Sequence, residues 1–512
     1  MLTTGPDNPN TNNMMDGVGM YAAPQYTNTY VRQKEKPVYG KAELVLSVLM
    51  FLFSFIFVRF VVYNVTGIIS SLLYIAFFAV TVIYLKKKGF AFSGFNKLLG
   101  ALLFIFSTVF TITDNSFIKF LTCVFLFAAG AYFIYSVCAD RKDVERYLPY
   151  AMKRSLFEYP FSKFSAQADI LSDKAKDSET SSNIKRVIIG LIITIPVTVI
   201  VAALLMEADD GVNHMLNSLF DTFYSDEIWT VIMQLAISLP LSLYGFGLIY
   251  RCAFRKDIRE LTDEECAEKL FRKRLVSNLI FYTAAAPVLI LYVLFFVSQA
   301  SYFLSAFMGK LPEGFSYAEY ARKGFFELCW IVVINLGIMI IMNLHSKNSG
   351  EEKTVMLKIY NMIFCIFTLI LIATAVSKMV MYIDAYGLTV MRVYTTWFMI
   401  LCAYIFLLTI IKQFRPDMHL AKHITIGFTL MFAFLCFSRP ESLIVKYNHM
   451  MGKVTADELK NSGIYEMSDD GLLAAVNEGL MPSDEAKERS SKKHSDHYTD
   501  DLNISTLLLE NK

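Results

Sequence analysis

Apolar runs such as VIIGLIITIPVTVIVAALLM (187–206) and LVLSVLMFLFSFIFV (44–58) leave this chain little freedom. A helix rising 1.5 Å per residue needs about 20 apolar residues to cross a ~30 Å hydrocarbon core. Eleven segments meet or approach that length: 44–62, 66–85, 97–113, 117–138, 187–206, 228–250, 276–305, 325–345, 357–382, 390–411 and 422–437. The composition agrees, with 55% hydrophobic and only 18% charged residues, far from a soluble average. The expected fold is all-α: a polytopic transmembrane bundle of about eleven spans, followed by short extracytoplasmic C-terminal helices.

Positions of lysine and arginine orient the bundle, because cytoplasmic loops carry them in excess. With the N-terminus inside, the segments 32–41, 86–97, 139–186, 251–274, 347–358 and 412–422 are cytoplasmic and hold 32 of the 48 basic residues. The loop 207–227 holds none. An odd number of spans then places the C-terminal 75 residues outside.

These signals divide the chain into six parts. Residues 1–38 form a polar, disordered cytoplasmic tail without the apolar core of a signal peptide. A four-span region (39–138) precedes a cytoplasmic loop (139–186) that opens with an amphipathic helix. A seven-span core (187–437) leads into an extracytoplasmic helical tail (438–481) and a solvated end (482–512). In the tail, Pro440 suits a first helical position, Gly452 a helix stop and Ser468 an N-cap. Seven of the eight cysteines lie in or beside apolar runs without a CxxC or zinc spacing, which suits packing between helices.

Two polar knots interrupt the outer side. In LPEGFSYAEYARKGFFELCW (311–330), Ser316 and Glu319 form a capping box, and Glu319 reaches Arg322 and Lys323 at helical spacing. Tyr317 and Tyr320 suit headgroup depth. In YIDAYGLTVMRVYTTWF (382–398), Gly387 fits a left-handed helix end and Thr389 the next N-cap. Asp384 ends one helix and Arg392 starts the next, so both oppose the helix dipoles. Pairing of the two across the turn, or pairing with the first knot, would offset that cost. Lys378, one turn deeper, needs an anion or a path to the interface.

These two stretches, with LYVLFFVSQASYF (291–303) and RPESLIVKYN (439–448), resemble bacterial multi-pass membrane proteins of domain-of-unknown-function family 4173, related to group 4153. The resemblance covers roughly 230–450 and leaves out the first four spans. It implies a bacterial cytoplasmic membrane and no particular activity. Arginine is the more usual residue in that family where this chain has Lys378. By the charge-derived topology the polar motifs emerge on one side. Gln299, Tyr302, Glu319, Tyr320, Arg322, Lys378, Asp384, Tyr386, Arg392, Tyr447 and Asn448 are therefore the expected ligand or partner cluster.

Several function classes lose support. There is no GxxxxGK[ST], HExxH or GxSxG, and the seven histidines are scattered, so neither a cofactor nor a metal is expected. No Asp or Glu lies near the middle of a span, where ion-coupled carriers commonly place one. Basic loops here reflect membrane topology, not nucleic acid. Expected partners are membrane lipids and an envelope ligand or protein. The favoured reading is an outer-face binding protein. The alternative is a transporter or flippase of an anionic substrate, lipid-linked or free, for which Pro196, Pro240 and Pro287 supply broken spans. Enzymatic activity is left open, with the weight against it.

Overall fold

The computed structural model describes residues 39–63, 67–174, parts of 198–215, 226–254, 263–273, 276–307, 325–346, 351–453, 467–494 and 503–512. Among them ten helices are long and apolar enough to cross a membrane, and the only β pairing is the isolated Val276–Ser346 bridge. The fold is an all-α polytopic bundle, and the chain is a multi-pass membrane protein.

The spans are α1 (Lys41–Phe57, extended by a π-helical turn Val58–Val62), α2 (Ile68–Lys87), α3 (Gly94–Ser107, extended by Val109–Ile112) and α4 (Ser116–Cys138). Then follow α5 (Asp226–Ala253), α6 (Asn278–Phe307), α7 (Phe325–His345), α8 (Glu351–Tyr386), α9 (Val390–Phe414) and α10 (Leu420–Phe437). Most of the expected 187–206 span lies outside the described residues. Short helices α11 (Pro440–Met450), α12 (Asp469–Asn477), α13 (Ser483–His494) and α14 (Ile504–Glu510) complete the chain.

Local chemistry starts and stops these helices. Ser93, Asn115 and Thr389 cap α3, α4 and α9 by accepting from the N–H three residues on. Gly387 and Gly452 take left-handed φ values of 75° and 62° at the ends of α8 and α11. Pro240 and Pro287 sit inside α5 and α6, where each removes one ladder hydrogen bond.

Apolar side chains segregate into two bundle cores. One gathers Leu46, Met50, Phe78, Phe106, Phe133, Phe246 and Phe432 from α1–α5 and α10. The other gathers Val332, Phe364, Leu371, Cys402 and Phe406 from α7–α9, with Ala285 of α6. Helix α9 belongs to both: Tyr394 and Trp397 pack on the first, Met399, Cys402 and Phe406 on the second. In the second core, Asn335 is wholly buried, accepts from Tyr292 Oη (2.5 Å) and donates to Thr368 Oγ1 (2.8 Å). It ties α6, α7 and α8 by hydrogen bonds that lipid cannot replace.

The stretch after α4 is more deeply engaged than an amphipathic surface helix. It runs as two helical pieces, from Leu148 to Ser162 and Ala166–Lys174. Gln167 donates to Ser47 O of α1 (2.7 Å) and to Ser242 Oγ of α5 (2.8 Å). Ser242 stands 11 residues from the end of α5, roughly 16 Å along the axis. Gly247 permits this approach, since a Cβ there would sit 2.6 Å from Pro160 O.

The two ends of the bundle carry different loops. At one end Lys88 pairs with Glu43, Ser93 bonds Arg141 O, and Lys422 pairs with Asp143 (2.5 Å). At the other end residues 113–115 and 387–389 meet α11 and the C-terminal helices.

Candidate functional site

At the tail-bearing end, the turn between α8 and α9 is pinned by Asn448. Its Oδ1 accepts from Leu388 N (2.6 Å) and its Nδ2 donates to Leu388 O (2.9 Å), which copies a backbone pairing with one side chain. Only glycine fits beside it, because a Cβ on Gly387 would lie 2.5 Å from Asn448 Oδ1. Arg392 then folds back over the turn. One Nη donates to Gly387 O and the guanidinium lies 3.8 Å from the Tyr382 ring centroid. The α8 carbonyl end and the aromatic face thus offset the cation's position in the first turn of α9. Its remaining N–H donors make no hydrogen bond among the described residues.

Below Arg392 a groove of about 550 Å³ runs between α9, α10 and α11. Val393, Trp397, Ile400, Leu430, Phe434 and Leu443 supply apolar walls. Trp397 Nε1 is committed to Met431 O (2.9 Å), so its ring is fixed as wall. From Arg392 to Ile400 the groove follows α9 for roughly 12 Å. The volume falls within the 300–1,000 Å³ typical of small-molecule sites. A second cavity, about 310 Å³ among α1, α2, α4 and α5, is lined by Met50, Phe78 and Gly130 and carries no charged side chain.

Behind the groove lies a buried polar clasp. Asp114, Glu441, Asp469 and Asp470 are 3%, 5%, 0% and 1% exposed, and Lys119 only 2%. Asp470 accepts from Thr113 Oγ1 and Asp114 N (3.3 Å) on one oxygen, and from Arg439 Nε (3.2 Å), Arg439 Nη2 (2.9 Å) and Ser505 on the other. Asp114 accepts from Lys119 (3.2 Å) and Asp469 N (3.2 Å). Asp469 accepts from Ser490 (2.9 Å) and Thr506 (2.5 Å). Glu441 accepts from Asn115 Nδ2 and from Ser468 N (2.5 Å) and Oγ. Buried charges are tolerable only when bonded in this way. Burial nevertheless raises the Glu441 carboxyl above its usual value, and Asp470 adds to the rise. Among the described residues no group of three His, Cys, Asp or Glu side chains is placed to hold a metal.

Arg392, Asn448 and Gly387 come together, and Arg392 lines the groove. Asp384 is exposed, and among the described residues it forms no ion pair with Arg392, whose partners are Gly387 and Tyr382. Tyr386 is half exposed and Lys378 and Tyr447 are part-buried. Glu319, Tyr320 and Arg322 lie outside the described residues, as do the side chains of Gln299 and Tyr302 on α6. The clasp was missed. Its traces were TDN (113–115) with Lys119 in an oily stretch and the paired acids of SDDG (468–471).

A family model described as "Domain of unknown function (DUF4153)" matches residues 100–477. The chain belongs to the DUF4153 family. The match begins inside α3, so the family reaches further toward the N-terminus than the motif resemblance did, and DUF4153 is the group to which that resemblance was related. It encloses the groove, Asp114, Lys119, Glu441 and the Asp469–Asp470 pair, and stops before Ser490 and Ser505. No curated protein and no solved structure matches the chain.

Proposed function

We propose that this DUF4153 protein binds an anionic amphiphile of the bacterial cell envelope. It sits in the cytoplasmic membrane with the groove and C-terminal tail on the outer side. The carrying observation is the groove, whose apolar walls end at one cation with donors to spare. The acyl or isoprenyl part of the ligand lies along α9 and α10, and its acidic head meets Arg392. A guanidinium suits phosphate or carboxylate because its fork of donors matches their geometry. A transporter or flippase reading draws on Pro240 and Pro287, whose breaks give α5 and α6 places to bend.

The test uses protein in phosphatidylcholine nanodiscs and a monoacyl phosphate with a photoreactive group in its chain. Crosslinks are expected within 390–400 and 430–435. A hydrogen bond to a charged group contributes about 1.5–3 kcal/mol, so Arg392→Gln should weaken binding roughly ten- to hundredfold. Arg392→Lys, which keeps the charge, should weaken it less. Equal binding of an uncharged monoacylglycerol, unaffected by Arg392→Gln, would refute the headgroup assignment, and competition by inorganic phosphate alone would make the acyl groove irrelevant. Movement of the probe across proteoliposomes that stops in Arg392→Gln would favour the transport reading.

A further inference from the structure

The groove and the clasp share their moving parts. Helix α9 lines the groove with Arg392, Val393, Thr396 and Trp397, while Tyr394 on the same helix donates to Asn115 Oδ1 (2.9 Å). Helix α11 lines it with Pro440, Leu443 and Ile444, while Glu441 accepts from Asn115 Nδ2 and Ser442 donates to Asp470 O (2.6 Å). Two walls therefore end on the two atoms of one amide. Asn115 cannot turn to release one wall without releasing the other, because its Oδ1 also caps α4 through Ile118 N (2.9 Å).

The corner between the walls is tied to the same network. Arg439 joins α10 to α11 with φ 49°, a left-handed conformation uncommon for residues other than glycine. Such a backbone persists where its surroundings over-determine it. Here its guanidinium is gripped by Asp470 (2.9 and 3.2 Å) and Ser505. The C-terminal helices thus hold the bend that aims α11 across the groove.

We infer that Asn115 is a positioning residue for the groove, and that docking of the C-terminal tail and binding in the groove are energetically coupled. This rests on the amphiphile reading above and adds its regulation. Coupling is reciprocal: if an intact clasp tightens the ligand by some factor, the ligand must tighten the clasp by the same factor. Loss of the tail would open the corner and loosen both walls.

The experiment uses the full chain in phosphatidylcholine nanodiscs with the same photoreactive monoacyl phosphate. Saturating probe should slow hydrogen exchange in 469–477 and 504–510 by roughly 5- to 150-fold, the usual range of coupling between sites. Asn115→Asp keeps the acceptor for Ile118 and Tyr394 but sets a carboxylate against Glu441, and should weaken the probe by a comparable factor. Adding Glu441→Gln restores a donor–acceptor pair in the opposite sense and should recover affinity, which a merely misfolded variant would not. Probe binding to the wild type with unchanged tail exchange overturns the coupling while leaving the ligand reading intact. No probe binding to the wild type overturns the ligand reading, and the coupling with it. Full affinity in Asn115→Asp overturns the positioning role.

Discussion

Asp470→Asn strikes the clasp at a buried carboxylate that joins α11, α12 and α14 to the start of α4. The side chain now serves five donors: Thr113 Oγ1 and Asp114 N on one oxygen, Arg439 Nε, Arg439 Nη2 and Ser505 Oγ on the other. An asparagine keeps one acceptor oxygen, and its better orientation gives that oxygen to Arg439 and Ser505. Its NH₂ then faces Thr113, whose hydroxyl can turn to accept, and the Asp114 N–H, which cannot. One buried N–H without an acceptor costs about 1–3 kcal/mol. The ion pair also becomes a charge-to-neutral bond. Arg439 is one-quarter exposed, so water softens this second loss to about 1 kcal/mol, below the 3–5 of a sealed pair. The sum, about 2–4 kcal/mol, opens α12 locally and leaves the spans in place. At 1.4 kcal/mol per tenfold, amide exchange across 469–477 should accelerate roughly 30- to 700-fold, with α4 and α8 unchanged. Hydrogen-exchange mass spectrometry in nanodiscs reads this directly, and Ser505→Ala should shift it by only about 0.5–1.5 kcal/mol. An acceleration below threefold, or equal acceleration in α4, would refute the view of Asp470 as the centre of a local latch.

Tail docking should depend on pH through Glu441, which faces Asp470, Asn115, Ser468 and Tyr394. Its carboxyl titrates above the ordinary 4.5, so the docked state holds the proton more tightly than the undocked one. The Glu441 contribution to docking is then fully present below pH 4.5 and is lost as pH rises through the raised value; tail exchange should quicken over that window in the wild type and lose this component in Glu441→Gln. For topology, Asp417→Cys and Met450→Cys lie at opposite ends of the bundle, both exposed. On a background without the eight native cysteines, an impermeant maleimide applied to intact cells should label Met450→Cys only, and the reverse pattern would invert the orientation.

Sequence made the fold legible where a rule acts within a few residues. Span lengths, the Thr389 cap, the left-handed Gly387 and the proline start of α11 are local, and each stands where the pattern put it. The Asn335 bonds follow a rule of the same kind, because a lone amide among apolar residues must find another polar group. The site was less legible. Opposed charges in adjacent turns suggested that Asp384 and Arg392 would pair with each other or with the first knot, yet Arg392 places one donor on the Gly387 carbonyl and its guanidinium over the Tyr382 ring. The clasp lay beyond any local rule. Thr113 and Asp470 are 357 residues apart, and in sequence each looked like ordinary helix-end chemistry.

The stacking of Phe106 on Phe432, ring centroids 5.5 Å apart, and the contact of Thr122 with Cys436 join α3 and α4 to α10. Thr122 and Cys436 are separated by 314 residues. At about 5–20 residues per second, a ribosome needs roughly 15–60 seconds to make that stretch. Throughout that interval the early spans sit in the bilayer with Phe106, Phe125 and Thr122 facing lipid or the insertion machinery. A chain cut short before α10 would keep that face open, whereas completion of α10 covers the early spans and brings in the end of the bundle on which the tail docks.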